Sequence, residues 1–168
     1  MKFKQWLAGR KLRKLSIKLL ILDVDGVLTD GRLYYRPDGE EIKVFNVQDG
    51  LGLKRLLKAG IEVAIISGRD APASRVRFAE LGINRIYLGK VAKLEYYEKL
   101  KSELGINDNE IAYLGDDLPD LPVMQKVGFS CAVANALPEV KAVAEYVTVH
   151  RGGLGAVREL CELILAHQ

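Results

Sequence analysis

The side chains best placed for chemistry are two aspartates at the end of an apolar segment. In "LLILDVDGVLTD", Asp23 and Asp25 directly follow the run "LLIL". Alternate residues of an extended segment point the same way, so both carboxylates are expected to face one pocket. Gly26 then lets the chain turn away without a side chain in its path. The spacing indicates a pair of carboxylates that act together.

Polar residues also follow two later apolar segments, "VAII" and "IAYLG". These residues are Ser67, Gly68, Arg69, Asp116 and Asp117. Crowded carboxylates without a nearby Cys or His set predict the hard-oxygen cation Mg²⁺. With a serine, a lysine and helix N-termini available, the pocket suits a phosphoryl group. Asp23 could then attack phosphorus, while Asp25 protonates the leaving alcohol and later activates water.

The elements that must position these residues form an alternating pattern. Six short apolar segments, from "IKLLILD" to "AEYVTV", alternate with helical patterns near residues 49–59, 72–81, 91–104, 119–127, 138–144 and 154–166. Near-continuous apolar runs are typical of parallel strands covered on both faces. The sequence therefore predicts an α/β fold, a doubly wound, Rossmann-like parallel sheet with helices on both faces. Ligands bind beyond the carboxyl ends of such strands, so the polar clusters should converge.

Residues 31–48 interrupt the alternation. Two strand-like arms flank "PDG", which predicts a β-hairpin inserted after the first strand. Its open edge favours pairing with another chain. Tyr34, Tyr35 and Phe45 fit either packing within one chain or an interface between chains.

Composition indicates an ordinary globular protein. A chain of 168 residues predicts a single domain over 1–168, with a basic arm at 1–16 and a C-terminal tail and helix at 150–168. The arm carries no nucleic-acid motif and is expected to be a solvated helix, so we expect neither a nucleic-acid nor a membrane partner. The two cysteines form no metal-binding pair. No apolar run suits a signal peptide or a membrane span, and the expected location is the cytoplasm.

Four motifs, in chain order, resemble those of the haloacid dehalogenase-like phosphatases. They are "DVDGVLTDG", "ISGR", the lysine of "KVAKLEYY" and "GDDLPD". The resemblance implies that Asp23 is the nucleophile, Asp25 the general acid and base, and Lys93 a cation that steadies phosphate and nucleophile. It implies a phosphate-binding Ser67 and a Mg²⁺ site of Asp23, the Asp25 carbonyl and Asp116. Asp117 or Asp120 would assist from nearby.

Neither interval that carries a cap domain in this family has room for one here. "DVDGVLTDGRLYY", "QDGLGL" and "RGGLGAVRELCELIL" further resemble a capless branch of the family. That branch forms homotetramers and dephosphorylates 3-deoxy-D-manno-octulosonate 8-phosphate in lipopolysaccharide precursor synthesis. The resemblance implies hairpins at the tetramer centre and a glycine-rich tail over a neighbour's site. By position, the implied substrate contacts are Gln48, Asp49, Gly50, Gly68 and Arg69, and the implied mobile-tail residues are Arg151, Gly152 and Gly153.

Three alternatives stay open at this point. The enzyme could act on another sugar acid phosphate, of the acylneuraminate 9-phosphate type. It could be a signalling receiver, although a receiver lacks the second carboxylate that Asp25 supplies. It could also be an oligomeric scaffold without catalysis, which the complete set of motif residues disfavours. For "RGGLG", the residues alone favour a simple lead-in to a helix.

Overall fold

The computed structural model describes residues 16–90 and 92–168, and its centre is a six-stranded sheet. The strands are β1 (Leu19–Leu22), β4 (Glu62–Ile66), β5 (Arg85–Tyr87), β6 (Ile111–Gly115), β7 (Phe129–Ala132) and β8 (Tyr146–Val147). They lie in the order β5-β4-β1-β6-β7-β8, and every neighbouring pair is parallel. The predicted doubly wound α/β fold is confirmed.

Helices follow most of the strands. They are α1 (Val47–Lys58), α2 (Pro72–Leu81), α3 (Lys93–Leu104), α4 (Leu121–Met124), α5 (Pro138–Val143) and α6 (Ala156–Ala166). The helix predicted near 119–127 is instead a 3₁₀ turn, Leu118–Asp120, followed by the single turn of α4. Proline has no N–H to donate and is tolerated only in a first helical turn, so Pro119 and Pro122 divide the segment.

The core lies on both sides of β1 and its neighbours. All four side chains of β1 are completely buried, as are most of those in β4 and β6. Burial of such aliphatic side chains contributes about 1.5–3 kcal/mol each relative to exposure, which explains why the strand reads as a continuous apolar run. Because β1 lies between β4 and β6, the chain that leaves it emerges in the middle of the sheet edge, at Asp23.

The insertion after β1 contains a short antiparallel hairpin, β2 (Tyr34–Tyr35) and β3 (Glu41–Ile42). The predicted hairpin is therefore present, although each strand has only two residues. Phe45 packs edge-on against Phe78 of the same chain, with ring centroids 6.0 Å apart. Tyr34 and Tyr35 are exposed. Packing within one chain is therefore confirmed for Phe45, and an interface role for Tyr34 and Tyr35 stays a prediction.

The helix predicted for the basic arm lies outside the described residues, because the description begins at residue 16. Within residues 16–90 and 92–168, none of the helices has the length and apolar character needed to cross a membrane.

Candidate active site

A pocket of about 260 Å³ lies where β1, β4 and β6 end. Because these three strands are neighbours, their carboxyl ends bring the separate polar clusters of the sequence together. The lining residues are Asp23, Asp25, Ser67, Gly68, Arg69, Lys93, Asp116, Asp117 and Pro119. Eight of the predicted site residues therefore meet in one place.

Asp23 is held by a buried lysine. Its Oδ2 atom lies 2.8 Å from Nζ of Lys93, and its Oδ1 atom accepts a 2.7 Å hydrogen bond from the main-chain N–H of Val24. Burial raises the pKa of Asp23 to about 6, although Lys93 works in the opposite direction. Burial alone would lower the pKa of Lys93, but Asp23 and Asp120 outweigh it and raise that pKa. The two side chains thus form a buried ion pair facing the pocket.

Asp120 fixes that lysine from the other side. One oxygen, Oδ1, accepts hydrogen bonds from Lys93 Nζ at 2.7 Å and from the hydroxyl of Tyr113 at 2.6 Å. The other, Oδ2, accepts from the main-chain N–H groups of Asp116 and Asp117 at 2.8 and 3.2 Å. Both oxygens are fully used by donors, so Asp120 fits a positioning role better than that of a metal ligand.

The acidic cluster fits a divalent cation. Carboxylate oxygens of Asp23, Asp116 and Asp120 lie within 4.8 Å of one another, and hydrogen bonds already occupy both oxygens of Asp120, which leaves Asp23 and Asp116 as the candidate ligands. The Oδ1 atom of Asp116 is buried and has no hydrogen-bond partner among the described residues. Burial, followed by the charge of Asp23, raises the pKa of Asp116 to about 8. An unsatisfied buried carboxylate oxygen beside a second carboxylate is the donor set that Mg²⁺ prefers. We call Asp23, Lys93, Asp116 and Asp120 the pocket floor.

Gly26 allows the floor to close around Asp116. Its φ angle is +85°, which favours glycine, and a Cβ atom added there would lie 2.0 Å from Oδ2 of Asp116. Glycine is therefore favoured at this position for two reasons: the positive φ angle and the close approach of the Asp116 carboxylate.

The hairpin forms one side of the pocket mouth and contacts Asp25. The ammonium of Lys43 contacts Oδ1 of Asp25 and lies 2.6 Å from Oε1 of Glu41. Arg69 donates from Nη2 to Oε2 of Glu41 at 3.0 Å and to the hydroxyl of Tyr35 at 3.2 Å. Its Nε atom lies 4.0 Å from Oδ2 of Asp25. We call Tyr35, Glu41 and Lys43 the hairpin wall.

Sequence reasoning missed Glu41 and Lys43. In "EEIKV" they resemble the solvated charges of any exposed hairpin, and the four motifs do not include them. The one available signal was the alternation of the arm, which puts Lys43 on the face opposite to Ile42 and Val44.

Three other predicted substrate contacts lie away from the pocket of their own chain. Gln48 is exposed in the first turn of α1. Asp49 is buried and accepts hydrogen bonds from the main-chain N–H groups of Gly155 at 3.4 Å and Arg158 at 2.8 Å, so it caps α6. Gly50 packs against Arg77, whose Nη2 would lie 2.2 Å from an added Cβ atom. The geometry gives Asp49 a structural role between α1 and α6, and it places Gly50 where α1 contacts α2.

The "RGG" segment packs against the loop that follows Asp25. A Cβ atom on Gly152 would lie 1.7 Å from the carbonyl oxygen of Gly26, and the N–H of Gly153 donates to the carbonyl of Val27 at 2.9 Å. These contacts give both glycines a role in close backbone packing, and their place in a mobile tail stays a prediction. Arg151 is exposed.

Comparison with known proteins agrees with this geometry. Residues 82–159 match the haloacid dehalogenase-like hydrolase family. The 3-deoxy-D-manno-octulosonate 8-phosphate phosphatase of Escherichia coli K12 is 52% identical over 153 residues, which cover 91% of this chain and 81% of that protein.

The chain is also similar in fold and in sequence to solved structures of phosphatases and hydrolases. The crystal structure of the phosphatase of that name from Moraxella catarrhalis, in complex with magnesium ion, phosphate ion and KDO, is 47% identical with a TM-score of 0.90, over 92% of this chain and 89% of that one. A putative haloacid dehalogenase superfamily hydrolase from Legionella pneumophila is 49% identical with a TM-score of 0.93, over 99% and 92% of the two chains.

The fold and the converging clusters define a haloacid dehalogenase-like hydrolase, as the resemblance of the four motifs predicted. Since half of the residues are identical to the Escherichia coli protein over most of both chains, the chain belongs to the family of 3-deoxy-D-manno-octulosonate 8-phosphate phosphatases.

Proposed function

We propose that this protein is a Mg²⁺-dependent phosphatase that hydrolyses 3-deoxy-D-manno-octulosonate 8-phosphate to the free sugar acid and phosphate, a step of lipopolysaccharide precursor synthesis. The observation that carries the proposal is the Asp23–Lys93 pair, 2.8 Å apart and buried, in the same pocket as Asp25. A nucleophile, its cation and an acid–base group then line one cavity. The named relatives supply the substrate.

In the first step, a carboxylate oxygen of Asp23 forms a bond to phosphorus while the bond between phosphorus and the sugar oxygen breaks. Asp25 gives its proton to that departing oxygen, so the sugar leaves as an alcohol. Lys93 keeps Asp23 oriented and offers positive charge close to the phosphoryl oxygens.

In the second step, a water oxygen bonds to phosphorus and its proton passes to Asp25. The bond between phosphorus and Asp23 breaks, which returns the free carboxylate and releases phosphate. Ser67 and the main chain of Gly68 line the pocket and suit the phosphoryl oxygens. The proton that Asp25 gives in the first step is thus recovered in the second.

The residues that would hold Mg²⁺ are Asp23, Asp116 and the carbonyl of Asp25. When bound, the ion supplies positive charge that offsets the carboxylates and the phosphoryl group. Asp117 lies at the pocket edge and accepts a 2.7 Å hydrogen bond from the N–H of Leu118, so it would assist from outside.

The capless pocket favours closure by other subunits, and we propose a homotetramer. The hairpin and the start of α1 expose a group of apolar side chains: Leu33, Tyr34, Tyr35, Ile42, Val44 and Val47. A cluster of this kind is typical of a protein–protein interface. Gln48 and Arg151 stay predictions as substrate contacts, reached across such an interface.

Light scattering at micromolar concentration tests the assembly. We expect a tetrameric mass for the native protein and a smaller one for Val44→Glu, which adds a charge to the exposed group. A monomeric native protein would contradict the proposal. We further propose that the enzyme acts in the cytoplasm, where Cys131 and Cys161, both buried and unpaired, remain reduced.

The experiment that tests the activity is phosphate release from a panel of sugar phosphates, with Mg²⁺ and with a chelator. We expect metal-dependent hydrolysis with a strong preference for 3-deoxy-D-manno-octulosonate 8-phosphate. A preference for an acylneuraminate 9-phosphate would change the substrate and keep the mechanism. No release from any phosphate would overturn the mechanism as well and would favour a scaffold.

A further inference from the structure

The hairpin shows an inverted burial pattern around Lys43. The flanking residues Ile42 and Val44 are 46% and 57% exposed, while the side chain of Lys43 is only 2% exposed. Burial of an ammonium group is costly unless opposite charges compensate it. Hairpin stability alone does not account for this pattern, in which the lysine side chain is buried and both aliphatic neighbours are exposed.

Lys43 lies in a small, charge-balanced network. Its ammonium contacts one oxygen of Asp25 and one oxygen of Glu41, and Arg69 contacts the second oxygen of Glu41. Two carboxylates and two cations therefore alternate, and the network joins the hairpin to the loops after β1 and β4. Burial alone would raise the pKa of Glu41, but the nearby ammonium of Lys43 and the hydrogen bond from Arg69 lower it, so Glu41 stays ionised beside Lys43.

The consequence for Asp25 is geometric. Lys43 contacts Oδ1 of Asp25. The other oxygen, Oδ2, lies 4.0 Å from Nε of Arg69, which also lines the pocket. Without a partner on Oδ1, a short carboxylate side chain at the pocket mouth can rotate freely. With that partner, Oδ1 is engaged by Lys43 and Oδ2 is the oxygen left on the side of Arg69.

We propose that Lys43 is a positioning residue for the phosphatase reaction: its contact with Oδ1 fixes the Asp25 side chain so that Oδ2 gives the proton to the leaving sugar oxygen and takes one from water. This inference rests on the proposed function. It makes the hairpin part of the catalytic apparatus in addition to its expected role in assembly.

Lys43→Met tests the inference, because a buried cation replaced by an apolar side chain of similar length is often tolerated by the fold. The measurement is kcat/KM for a series of phosphate monoesters whose leaving groups differ in basicity. Poorly basic leaving groups such as para-nitrophenolate need no proton to depart, whereas a sugar alkoxide does. A misplaced acid should therefore affect the sugar phosphate most.

For Lys43→Met we expect a loss of about 100-fold in kcat/KM with the sugar phosphate and of less than about fivefold with para-nitrophenyl phosphate. The dependence on leaving-group basicity becomes steeper. Lys43→Arg, which keeps a cation, should recover most of the loss. If Lys43→Met is not folded by circular dichroism, Lys43→Gln takes its place in the same series.

Arg36→Met is the matched control, since Arg36 is an exposed hairpin cation that pairs with Glu40 and lies outside the network. It should behave like the native enzyme, with the same oligomeric mass. An equal loss for all leaving groups, or no loss, in a folded Lys43→Met variant would overturn the inference and leave the phosphatase activity standing. A native enzyme that releases no phosphate from any ester would overturn the proposed function, and this inference with it.

Discussion

The charges of the pocket floor are largely buried and held by one another and by main-chain N–H groups. The charges of the hairpin wall lie in or beside the two-residue strand β3. Asp23 follows a completely buried strand, and Asp120 receives four hydrogen bonds. Lys43 has two carboxylate contacts and lies between the exposed side chains of Ile42 and Val44. Both regions bring ions to one phosphoryl-binding pocket.

The pocket floor and the hairpin wall therefore suit different roles in the reaction. Asp23, Lys93 and Asp120 of the floor each have several partners, as the positioning of a covalent step at phosphorus requires. The wall contacts the pocket through Asp25 and Arg69, so its position depends on the packing of the exposed hairpin. Under our proposals, the floor supplies the phosphoryl-transfer chemistry and the wall positions the group that transfers protons.

Removal of the nucleophile should have the largest effect. Asp23→Asn keeps the size of the side chain but leaves no carboxylate to attack phosphorus, so we expect kcat to fall by about 10³-fold or more. Phosphate release measures the loss, and circular dichroism checks the fold. Asp30→Asn is the matched control, because Asp30 belongs to the same motif but only caps local groups at the hairpin base. Activity of Asp23→Asn within tenfold of that control would exclude the covalent mechanism.

Loss of the charge that fixes Lys93 should have a smaller effect. In Asp120→Asn, an amide group must face either Lys93 and Tyr113 or the two main-chain N–H groups, and one set of donors loses its acceptor. We expect kcat to fall about 10–100-fold, as for other outer partners of a metal site.

Glu110→Gln controls for the loss of a carboxylate, since Glu110 pairs with Lys18 at the opposite end of β6. Its steady-state kinetics should match those of the native enzyme. Equal kcat values for the Asp120 and Glu110 variants would show that the floor does not depend on Asp120.

Two glycines with nearly the same φ angle distinguish two effects of an added Cβ atom: backbone strain, which both positions share, and a clash with Asp116, which only one position has. Gly26 and Gly39 have φ angles of +85° and +86°, but an added Cβ atom meets Asp116 at Gly26 and open space at Gly39. Both alanine variants should lose about 1–2 kcal/mol of stability from the left-handed conformation. We expect only Gly26→Ala to lose about tenfold in Mg²⁺ affinity, measured by calorimetry. Equal Mg²⁺ affinities would contradict the metal role of Asp116.

The pH dependence of stability tests the pocket floor without any substitution. Burial raises the pKa of Asp23 to about 6 and of Asp116 to about 8, above the unfolded value near 4. The folded protein therefore binds more protons, so without metal its free energy of unfolding falls as pH rises from about 4 toward about 8, by up to about 1.4 kcal/mol per pH unit and group. Mg²⁺ binds the ionised carboxylates and should stabilise the protein more at pH 8 than at pH 5.

Urea unfolding at both pH values, with chelator and with Mg²⁺, measures this dependence. If the free energy of unfolding instead rises with pH in the presence of chelator, burial does not raise the pKa values of Asp23 and Asp116, and the prediction is wrong.

The sequence predicted the sheet and the meeting of the polar clusters because both follow from local patterns. A buried parallel strand must be apolar throughout, and neighbouring parallel strands must end at one edge. Lys43 was missed because its burial depends on how the hairpin folds back, which no motif records. Asp49 and Gly152 were assigned by resemblance alone, and their contacts with α6 and with Gly26 depend on tertiary packing.

The most direct test of the account is to identify the phosphorylated residue. Asp25→Asn should trap the intermediate, because water activation fails while para-nitrophenyl phosphate can still phosphorylate the enzyme without a proton donor. After acid quench and digestion, mass spectrometry should find one phosphoryl group on the peptide that contains Asp23, only when Mg²⁺ is present. A phosphoryl group on another residue, or none during continued phosphate release, would contradict the claim that Asp23 on the pocket floor is the nucleophile.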